Sequence, residues 1–306
     1  MEHDDTGASV VRQQHFTCPG PIAIWVELDG GQLDITLRED TAGSGEITVQ
    51  IHPDRTGQPP WSVGFHGLLN WLGEQTGATP PVGELAAEAV RRTIIEFAEG
   101  RLTVRGPREF PLRTVPLIIQ VSAPSGSSIT ARSGSADIAV TGVAAGLDAA
   151  TGSGEVRAQR CTGAAEIRTG SGDVQLGTVA GRLRVRTGSG QVDVTSVEGA
   201  AGAGTVQTGS GDVRLGAVKH DVSARTGSGD LTVVDACAGG LELTTGSGQL
   251  RVGIHPGVLA ELDVSSGSGR AHSDLPVGGP PTEGDVALRV RARTGSGDAL
   301  VTAAPS

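Results

Sequence analysis

The sequence predicts an all-β fold, namely a single-stranded parallel β-helix (a β-solenoid) of about nine coils, with an N-terminal β-rich cap and one short helix. Three observations predict it. A unit of the type Thr-Gly-Ser-Gly recurs nine times in the 306 residues. Apolar and polar residues alternate with a period of two on both sides of the unit, as in strands with one buried face. No proline lies between Pro124 and Pro256, as continuous hydrogen-bonded ladders require.

The repeat unit has a nearly constant spacing, with a modal period of 18 residues. Identical stacked coils require such a period, because each coil contacts only its neighbours. A sandwich or a barrel of hairpins is the alternative interpretation. The first residues of the nine copies are Ser133, Thr151, Thr169, Thr187, Thr208, Thr226, Thr245, Ser266 and Thr294.

The copy at Thr187 illustrates one coil. Leu183 and Val185 precede the unit and alternate with arginines, while Val192 and Val194 follow it and alternate with polar residues. This pattern predicts a strand on each side of a Gly-Ser-Gly turn. We expect the glycines to supply positive φ angles and a close approach of backbones. The alternation points the turn threonine inward, where its hydroxyl would bond backbone groups of the turn and fix the register of the stack.

Charged residues flank the repeat unit on both sides. Stacked like charges at about 4.8 Å repel one another, so we expect arginines to neutralise acids across each tight turn. A Ca²⁺-binding ladder and a ligand- or partner-binding face are the alternatives, although the doubled period and the missing acids differ from calcium β-rolls. The arginines before the unit are Arg132, Arg168, Arg186, Arg225 and Arg293. The acids after it are Asp137, Glu155, Asp173, Asp212, Asp230 and Asp298.

The chain divides into three parts. We expect a disordered N-terminus at residues 1–14, a β-rich cap at 15–125 and the β-solenoid repeats at 126–303. The cap would cover the first coil, because an exposed solenoid end is an open sheet edge. The apolar spacing over 82–92 predicts a short helix. Strands are predicted at 22–28, 32–37, 46–51, 94–105 and 115–122, with a hairpin turn at Glu99-Gly100.

The segment 57–81 differs from the rest of the cap because it carries two of the three tryptophans between flanking prolines. It is interpreted as a flap packed on its own protein, as a docking site for a partner or for self-association, or as a membrane-surface helix. The candidate contact residues are Trp61, Phe65, Leu68, Leu69, Trp71 and Leu72, of which all but Trp71 share one helical face.

The composition disfavours several functions. The net charge of −10 disfavours nucleic-acid binding. No aromatic residue follows Phe110, so the repeats lack a stacking platform for single-stranded nucleic acid or for the sugars of β-helix hydrolases and lyases. The three cysteines, Cys18, Cys161 and Cys237, have no metal-ligand spacing. We therefore identify no catalytic, cofactor-binding or metal-binding residue.

Targeting signals are also missing from the sequence. The acidic start of the chain leads into no apolar segment of a secretory signal. No apolar run approaches the roughly 18 residues that a membrane helix needs. We expect a cytoplasmic protein with no transmembrane segment.

Several segments together resemble a bacterial family of β-strand repeats, a domain of unknown function labelled "putative adhesin". The resemblance spans residues 15–303 and implies a β-solenoid of undetermined function, with no catalytic residues to carry over. The segment 57–81 looks like an insertion relative to the family. The segments are the Arg-Thr-Gly-Ser-Gly-Asp-Val unit at 168–174, its variant at 225–231, the strand at 21–24, the hairpin at 97–104, and the pair 262–266 and 290–294.

These observations favour a non-enzymatic β-solenoid that acts as a binding or scaffolding module, with a protein partner or self-association. One alternative is a surface or envelope adhesin, as the family label suggests. The other is a structural scaffold that polymerises end to end.

Overall fold

The computed structural model describes residues 11–39, 45–54, 82–199, 202, 204–276 and 286–305. These residues form a 13-stranded and a 12-stranded β-sheet, one helix and one 3-10 turn. Inward side chains of both sheets meet in one apolar core. No helix in the described ranges is long and apolar enough to cross a membrane.

The first elements follow the predicted order of strands and helix. Their bounds are β1 Arg12–Cys18, β2 Ala23–Leu28, β3 Gly31–Arg38, β4 Gly45–Pro53, α1 Val82–Arg92, β5 Ile94–Ala98, β6 Arg101–Arg105, the 3-10 turn Leu112–Thr114 and β7 Leu117–Pro124.

The remaining strands alternate between the two sheets. Their bounds are β8 Ser128–Ser133, β9 Asp137–Ala144, β10 Gly146–Thr151, β11 Val156–Cys161, β12 Ala165–Thr169, β13 Val174–Val179, β14 Leu183–Thr187, β15 Val192–Val197, β16 Gly204–Thr208, β17 Val213–Val218, β18 Val222–Thr226, β19 Leu231–Ala236, β20 Gly239–Thr245, β21 Leu250–Ile254, β22 Ala260–Ser266, β23 Ala271–Ser273, β24 Leu288–Thr294 and β25 Ala299–Ala303.

Each coil contributes one strand to each sheet, and neighbouring coils pair in parallel and in register. Thr169 lies opposite Thr187 in the 12-stranded sheet, and Val174 lies opposite Val192 in the 13-stranded sheet. Eleven strands of each sheet pair in this way, while β1, β4 and β5 are antiparallel. The described chain therefore stacks eleven coils, nine of which carry the repeat unit.

The coils follow the chain order in the middle of the stack but not at its ends. The coil of β2 and β3 lies between the coil of β6 and β7 and that of β8 and β9. The coil of β24 and β25 lies between the coil of β20 and β21 and that of β22 and β23. The coil of β2 and β3 and the coil of β24 and β25 thus each have a pairing partner on both edges.

The predicted fold class is confirmed as a parallel β-solenoid without barrel closure. The expectation that consecutive repeat units lie on top of one another is wrong for the last two copies, because the copy at Thr294 lies between those at Thr245 and Ser266. The two extra coils come from residues expected to form only a cap, because β2, β3, β6 and β7 join the same parallel ladders.

The N-terminal end of the stack is covered. Helix α1 buries Leu85, Ala89 and Val90 in the common core. The side chain of Arg12 in β1 donates hydrogen bonds to carbonyl oxygens at the C-terminal end of this helix, among them Arg91 O at 3.1 Å. A guanidinium group satisfies such end carbonyls and complements the helix dipole. Strands β4 and β1 extend the 13-stranded sheet and β5 extends the 12-stranded sheet by antiparallel pairing, so β1 and β5 are the outermost described strands at this end.

The C-terminal end of the stack is more open. Leu262 and Val264 of β22 face the core but are only partly buried, and Ala271 of β23 is exposed. Leu259 beside them is 62 % exposed. In the described part of the chain, no strand pairs with the outer edge of β22 or β23.

Candidate functional site

The turn threonines form a buried column at the corner that joins each strand of the 12-stranded sheet to the next strand of the 13-stranded sheet. Their hydroxyls, and that of Ser266, accept a hydrogen bond from the second glycine of their own unit, at 2.8–3.1 Å. Five of these hydroxyls also donate to a glycine carbonyl of the neighbouring coil, at 2.8–3.4 Å. The column therefore joins the coils and satisfies backbone groups that the corner would leave unpaired. The predicted corner residues in it are Thr151, Thr169, Thr187, Thr208, Thr226, Thr245, Ser266 and Thr294.

The glycines of the corner units do not have positive φ angles, so this part of the sequence interpretation is wrong. Close approach alone requires them. A Cβ atom on Gly190 would lie 1.9 Å from the carbonyl oxygen of Gly172 in the neighbouring coil. A Cβ atom on Gly172 or on Gly211 would likewise lie 1.9 Å from a glycine carbonyl oxygen in the coil before it. A side chain at these positions would separate adjacent coils.

The five aspartates after the repeat unit bond the backbone, and Glu155 pairs with Arg157 beside it rather than with an arginine before a unit, which corrects the expected neutralisation across the turn. Asp173 accepts a hydrogen bond from the backbone N–H of Gln191 in the next coil at 2.8 Å, and Asp212 accepts one from Asp230 at the same distance. In the described residues, no ion pair joins an arginine before a unit to an acid after one.

The arginines instead pair with acids on the outer face of the 12-stranded sheet. Arg225 lies 2.9 Å from Glu242, Arg289 lies 3.2 Å from Glu261, and Arg168 pairs with Glu166. These side chains are mostly exposed, so each pair contributes little to stability. Most charged groups of this face therefore already have partners, although Arg186 forms no ion pair with a described residue.

The outer face of the 13-stranded sheet carries an open groove that crosses β9, β11, β13 and β15. Gly177 forms part of its floor, and a Cβ there would lie 2.0 Å from the carbonyl oxygen of Gln159. The groove therefore exists because the strand can have no side chain at this point. Its polar lining side chains come from four successive coils and include Thr141, Arg157, Gln159, Asp173, Gln175, Gln191, Asp193 and Thr195.

The opposite corner, where a strand of the 13-stranded sheet leads back to the 12-stranded sheet, brings three metal-ligand side chains together. Asp235, Cys237 and His255 each place one donor atom within 4.8 Å of the other two. An Asp235 carboxylate oxygen lies 2.9 Å from His255 Nδ1, and the other lies 3.6 Å from Cys237 Sγ. Burial raises the pKa of the Cys237 thiol, as do the charge and the hydrogen bond of Asp235. With a raised pKa, this thiol is poorly suited to act as a nucleophile.

Sequence reasoning did not find this cluster, although a signal exists. Cys237 and His255 are 18 residues apart, which is one period of the repeat and places them on adjacent coils. Cys18 and Cys161 are buried elsewhere, and all three thiols are free. Burial raises the pKa of Cys161 to about 11. The candidate contact residues of segment 57–81, from Trp61 to Leu72, lie outside the described residues.

These features define a parallel β-solenoid with two polar outer faces and a hydrogen-bonded column of small residues at one corner. A family model described as Toastrack DUF4097 matches residues 109–302, which is more than half of the chain. The chain therefore belongs to the Toastrack DUF4097 family. The prediction that the chain belongs to a repeat-domain family of unknown function is confirmed by this match.

Solved structures with similar folds come from several bacteria. A "putative adhesin" from Bacteroides fragilis has 10 % identity over 95 % of this chain and 96 % of its own, with a TM-score of 0.36. One from Parabacteroides distasonis has 12 % identity over 96 % and 98 %, with a TM-score of 0.37. A "putative cell adhesion protein" from Clostridium sporogenes has 9 % identity over 95 % and 99 %, with a TM-score of 0.25. At these TM-scores the likeness carries no argument about function. No curated protein matches the sequence.

Proposed function

We propose that this chain is a non-enzymatic β-solenoid that binds a protein partner in the cytoplasm through the groove of the 13-stranded sheet. The groove is the observation that carries the proposal. Four parallel hydrogen-bonded strands form it, with one bulge between β9 and β11. Its shape is therefore set before a partner arrives, and little ordering entropy is lost on binding.

The chemistry of the groove also favours binding over a purely structural face. The side-chain oxygen of Gln159 accepts a hydrogen bond from the backbone N–H of Gly142 at 2.8 Å. The side-chain N–H groups of Gln159 are therefore left to bond a partner. Gln175 and Gln191 lie beside it and present further amide groups. The 12-stranded sheet differs, because its arginines and acids already pair with one another. A partner with a polar, hydrogen-bonding surface fits the groove better than that face.

Affinity capture with two matched variants tests the proposal. Gln175→Arg with Asp193→Arg changes the groove, and Gln207→Arg with Asp148→Arg makes the same change of charge on the other sheet. We expect cross-linked partners of the tagged full chain to be lost with the first variant and kept with the second. Retention of the same partners by the groove variant would contradict the proposal. A third chain without residues 57–81 tests whether the predicted contact segment adds to binding.

The cytoplasmic location has its own test. Proteinase added to intact cells should leave the chain undegraded. Degradation would favour the surface or envelope adhesin instead.

Self-association is a second candidate, favoured by the difference between the two ends of the stack. Helix α1 packs on the core at the N-terminal end, where β1 and β5 are the outermost described strands, whereas at the C-terminal end the core-facing residues of β22 are only partly buried. Two copies joined through their C-terminal coils would form a closed, two-fold pair rather than a filament.

Light scattering over a range of concentrations measures this association. Leu259→Arg should shift the chain to monomers, because the exposed leucine lies at the open end. Val11→Arg is the matched control, because Val11 is 50 % exposed and lies in the N-terminal region. A chain that stays monomeric at all concentrations would exclude this candidate.

A further inference from the structure

The cluster of Asp235, Cys237 and His255 combines the donor types that Zn²⁺ prefers. Its donors are a sulfur, an imidazole nitrogen and carboxylate oxygens. Structural and catalytic zinc sites use these ligands, whereas Ca²⁺ and Mg²⁺ prefer oxygen alone. We propose that this corner is a Zn²⁺ site in which the three side chains fill three positions and solvent or a partner's side chain fills the fourth.

The distances fit a tetrahedral site with small adjustments. Zinc–ligand bonds of about 2.0–2.3 Å place neighbouring ligand atoms about 3.3–3.7 Å apart. The distance of 3.6 Å between Cys237 Sγ and Asp235 Oδ2 already fits. His255 Nδ1 is 3.1 Å from the same oxygen, Asp235 Oδ2, and 2.9 Å from Oδ1, which are hydrogen-bond distances. The half-exposed imidazole would need to move away by only about 0.5 Å to reach the spacing of zinc ligands.

The backbone holds the three residues in place without a metal. The N–H of Cys237 donates to Val218 O at 2.8 Å, and the N–H of His255 donates to Ala236 O at 3.0 Å. Both bonds link neighbouring coils. Little chain entropy remains to be lost on binding, which favours a site built on a rigid element.

The local irregularity of the repeat coincides with this corner. Val233 lies opposite Val252 and Ala236 lies opposite Ile254, so two residues of β19 face one residue of β21. Asp235 is one of those two residues. A bulge of this kind redirects a side chain, and here it lies beside the carboxylate that contacts both other ligands.

The nearby lysine is held away from the cluster. Lys219, on the coil before Cys237, is the one lysine in the sequence. Its ammonium group lies 3.0 Å from a carboxylate oxygen of Glu198. That ion pair directs the ammonium group toward Glu198 on the preceding coil, where the carboxylate offsets its positive charge.

From the sequence alone we predict no metal-binding residue, because the spacing of the cysteines is not that of metal ligands. The proposed Zn²⁺ site differs from that prediction. A bound Zn²⁺ would cross-link the coil of β19 to that of β21 and would convert the thiol of Cys237 to a thiolate.

Metal titration of the full chain tests the site. The metal-free protein is titrated with Zn²⁺, and with Co²⁺ as a spectroscopic substitute. We expect one Zn²⁺ per chain, a sulfur-to-cobalt charge-transfer band, and protection of Cys237 from alkylation. Cys237→Ser should abolish the band, and both it and His255→Gln should weaken Zn²⁺ binding at least tenfold.

The control variant is His272→Gln, because His272 lies 2.7 Å from Asp274 in a histidine–carboxylate pair with no cysteine in the described cluster. It should bind Zn²⁺ as the unchanged chain does. Circular dichroism of each metal-free variant establishes that it is folded, and Asp235→Asn supplies a further variant of nearly the same shape. The proposal is overturned if Zn²⁺ does not bind or if Cys237→Ser and His255→Gln bind it with unchanged affinity.

Discussion

The second glycine of each corner unit is required by the distance between coils. At Gly190, a Cβ atom would lie 1.9 Å from Gly172 O and 3.0 Å from the hydroxyl of Thr187. The backbone atoms it would meet cannot move without separating two ladders. This explains why the repeat keeps glycine where the backbone angles alone would accept other residues.

Replacement of this glycine should therefore destabilise the fold strongly. We expect Gly190→Ala to lower the free energy of unfolding by about 3 kcal/mol, at the upper end for overpacking. The control is Ser189→Ala at the exposed position beside it, which should change stability by less than about 0.5 kcal/mol. Urea denaturation measures both. Equal effects of the two substitutions would contradict the close-approach account.

The corner hydroxyls act as both acceptors and donors, and Thr226 shows this most fully. It accepts from Gly229 N–H at 3.0 Å and donates to Gly211 O at 3.1 Å. Thr226→Val keeps the shape of the side chain but leaves Gly229 N–H and Gly211 O without their hydroxyl partner. We therefore expect the free energy of unfolding to fall by about 2 kcal/mol. Thr226→Ser keeps both bonds and should cost about 1 kcal/mol for the lost methyl group. Urea denaturation measures both variants. A higher free energy of unfolding for Thr226→Val than for Thr226→Ser would contradict the role of the hydroxyl hydrogen bonds.

The buried thiol of Cys161 makes stability depend on alkaline pH. Burial raises its pKa from 9.0 to about 11, so the folded state keeps the proton in a range where the unfolded state releases it. The stabilisation is complete below pH 9 and is lost as pH rises toward 11. Between about pH 8 and pH 10, the free energy of unfolding of the unchanged chain should fall by about 1 kcal/mol more than that of the Cys161→Val variant. Valine fits because Val179 occupies the same position in the next coil.

The outcome of that comparison is read from urea titrations at both pH values. If Cys161→Val lost as much stability as the unchanged chain, the thiol would not be the titrating group.

The strands and the helix are predictable from sequence because the spacing of apolar residues within each element has the period of that element. The alternation around Thr187 predicts β14 and β15, and the apolar spacing over 82–92 predicts α1. The Glu99-Gly100 turn also agrees, since both residues have positive φ angles of 51° and 72°. These features depend on local sequence, which a single chain shows in full.

The order of the terminal coils is not predictable in the same way. Every coil presents small aliphatic residues inward, so the copy at Ser266 and the copy at Thr294 fit the neighbouring coil equally well by pattern. The choice depends on contacts between distant segments, such as the pairing of β20 with β24 and the hydrogen bond from the Thr294 hydroxyl to Gly248 O. The corner cluster at Cys237 was missed for the same reason, since it depends on which coils are adjacent.

Hydrogen exchange tests the order of the elements at the C-terminal end. Strands β24 and β25 have neighbours on both edges, whereas β22 and β23 are outermost in the described sheets. We expect the amides of β24 and β25 to exchange more slowly than those of β22 and β23, although they lie nearer the chain terminus. Mass spectrometry of peptides resolves the two pairs. Faster exchange in β24 and β25 would place them at the end of the stack.

The whole molecule is a rod in which stability is shared between adjacent coils. No coil buries enough apolar surface to fold alone, so each depends on its neighbours. The two ends differ, because α1 packs on the core at one end, whereas the core-facing residues of β22 at the other end are only partly buried. The stack gives the molecule two polar outer faces and places the threonine column and the Cys237 cluster at its corners.

Distances between spin labels on the corner serines test the stacked order most directly. With the native cysteines replaced, labels are attached at Ser153 and at either Ser296 or Ser268. At about 4.8 Å per coil, Ser296 is six coils away at roughly 29 Å, and Ser268 is seven coils away at roughly 34 Å. The account predicts the longer distance for Ser268, although it comes first in the sequence. A longer distance to Ser296, or distances that do not increase coil by coil, would contradict it.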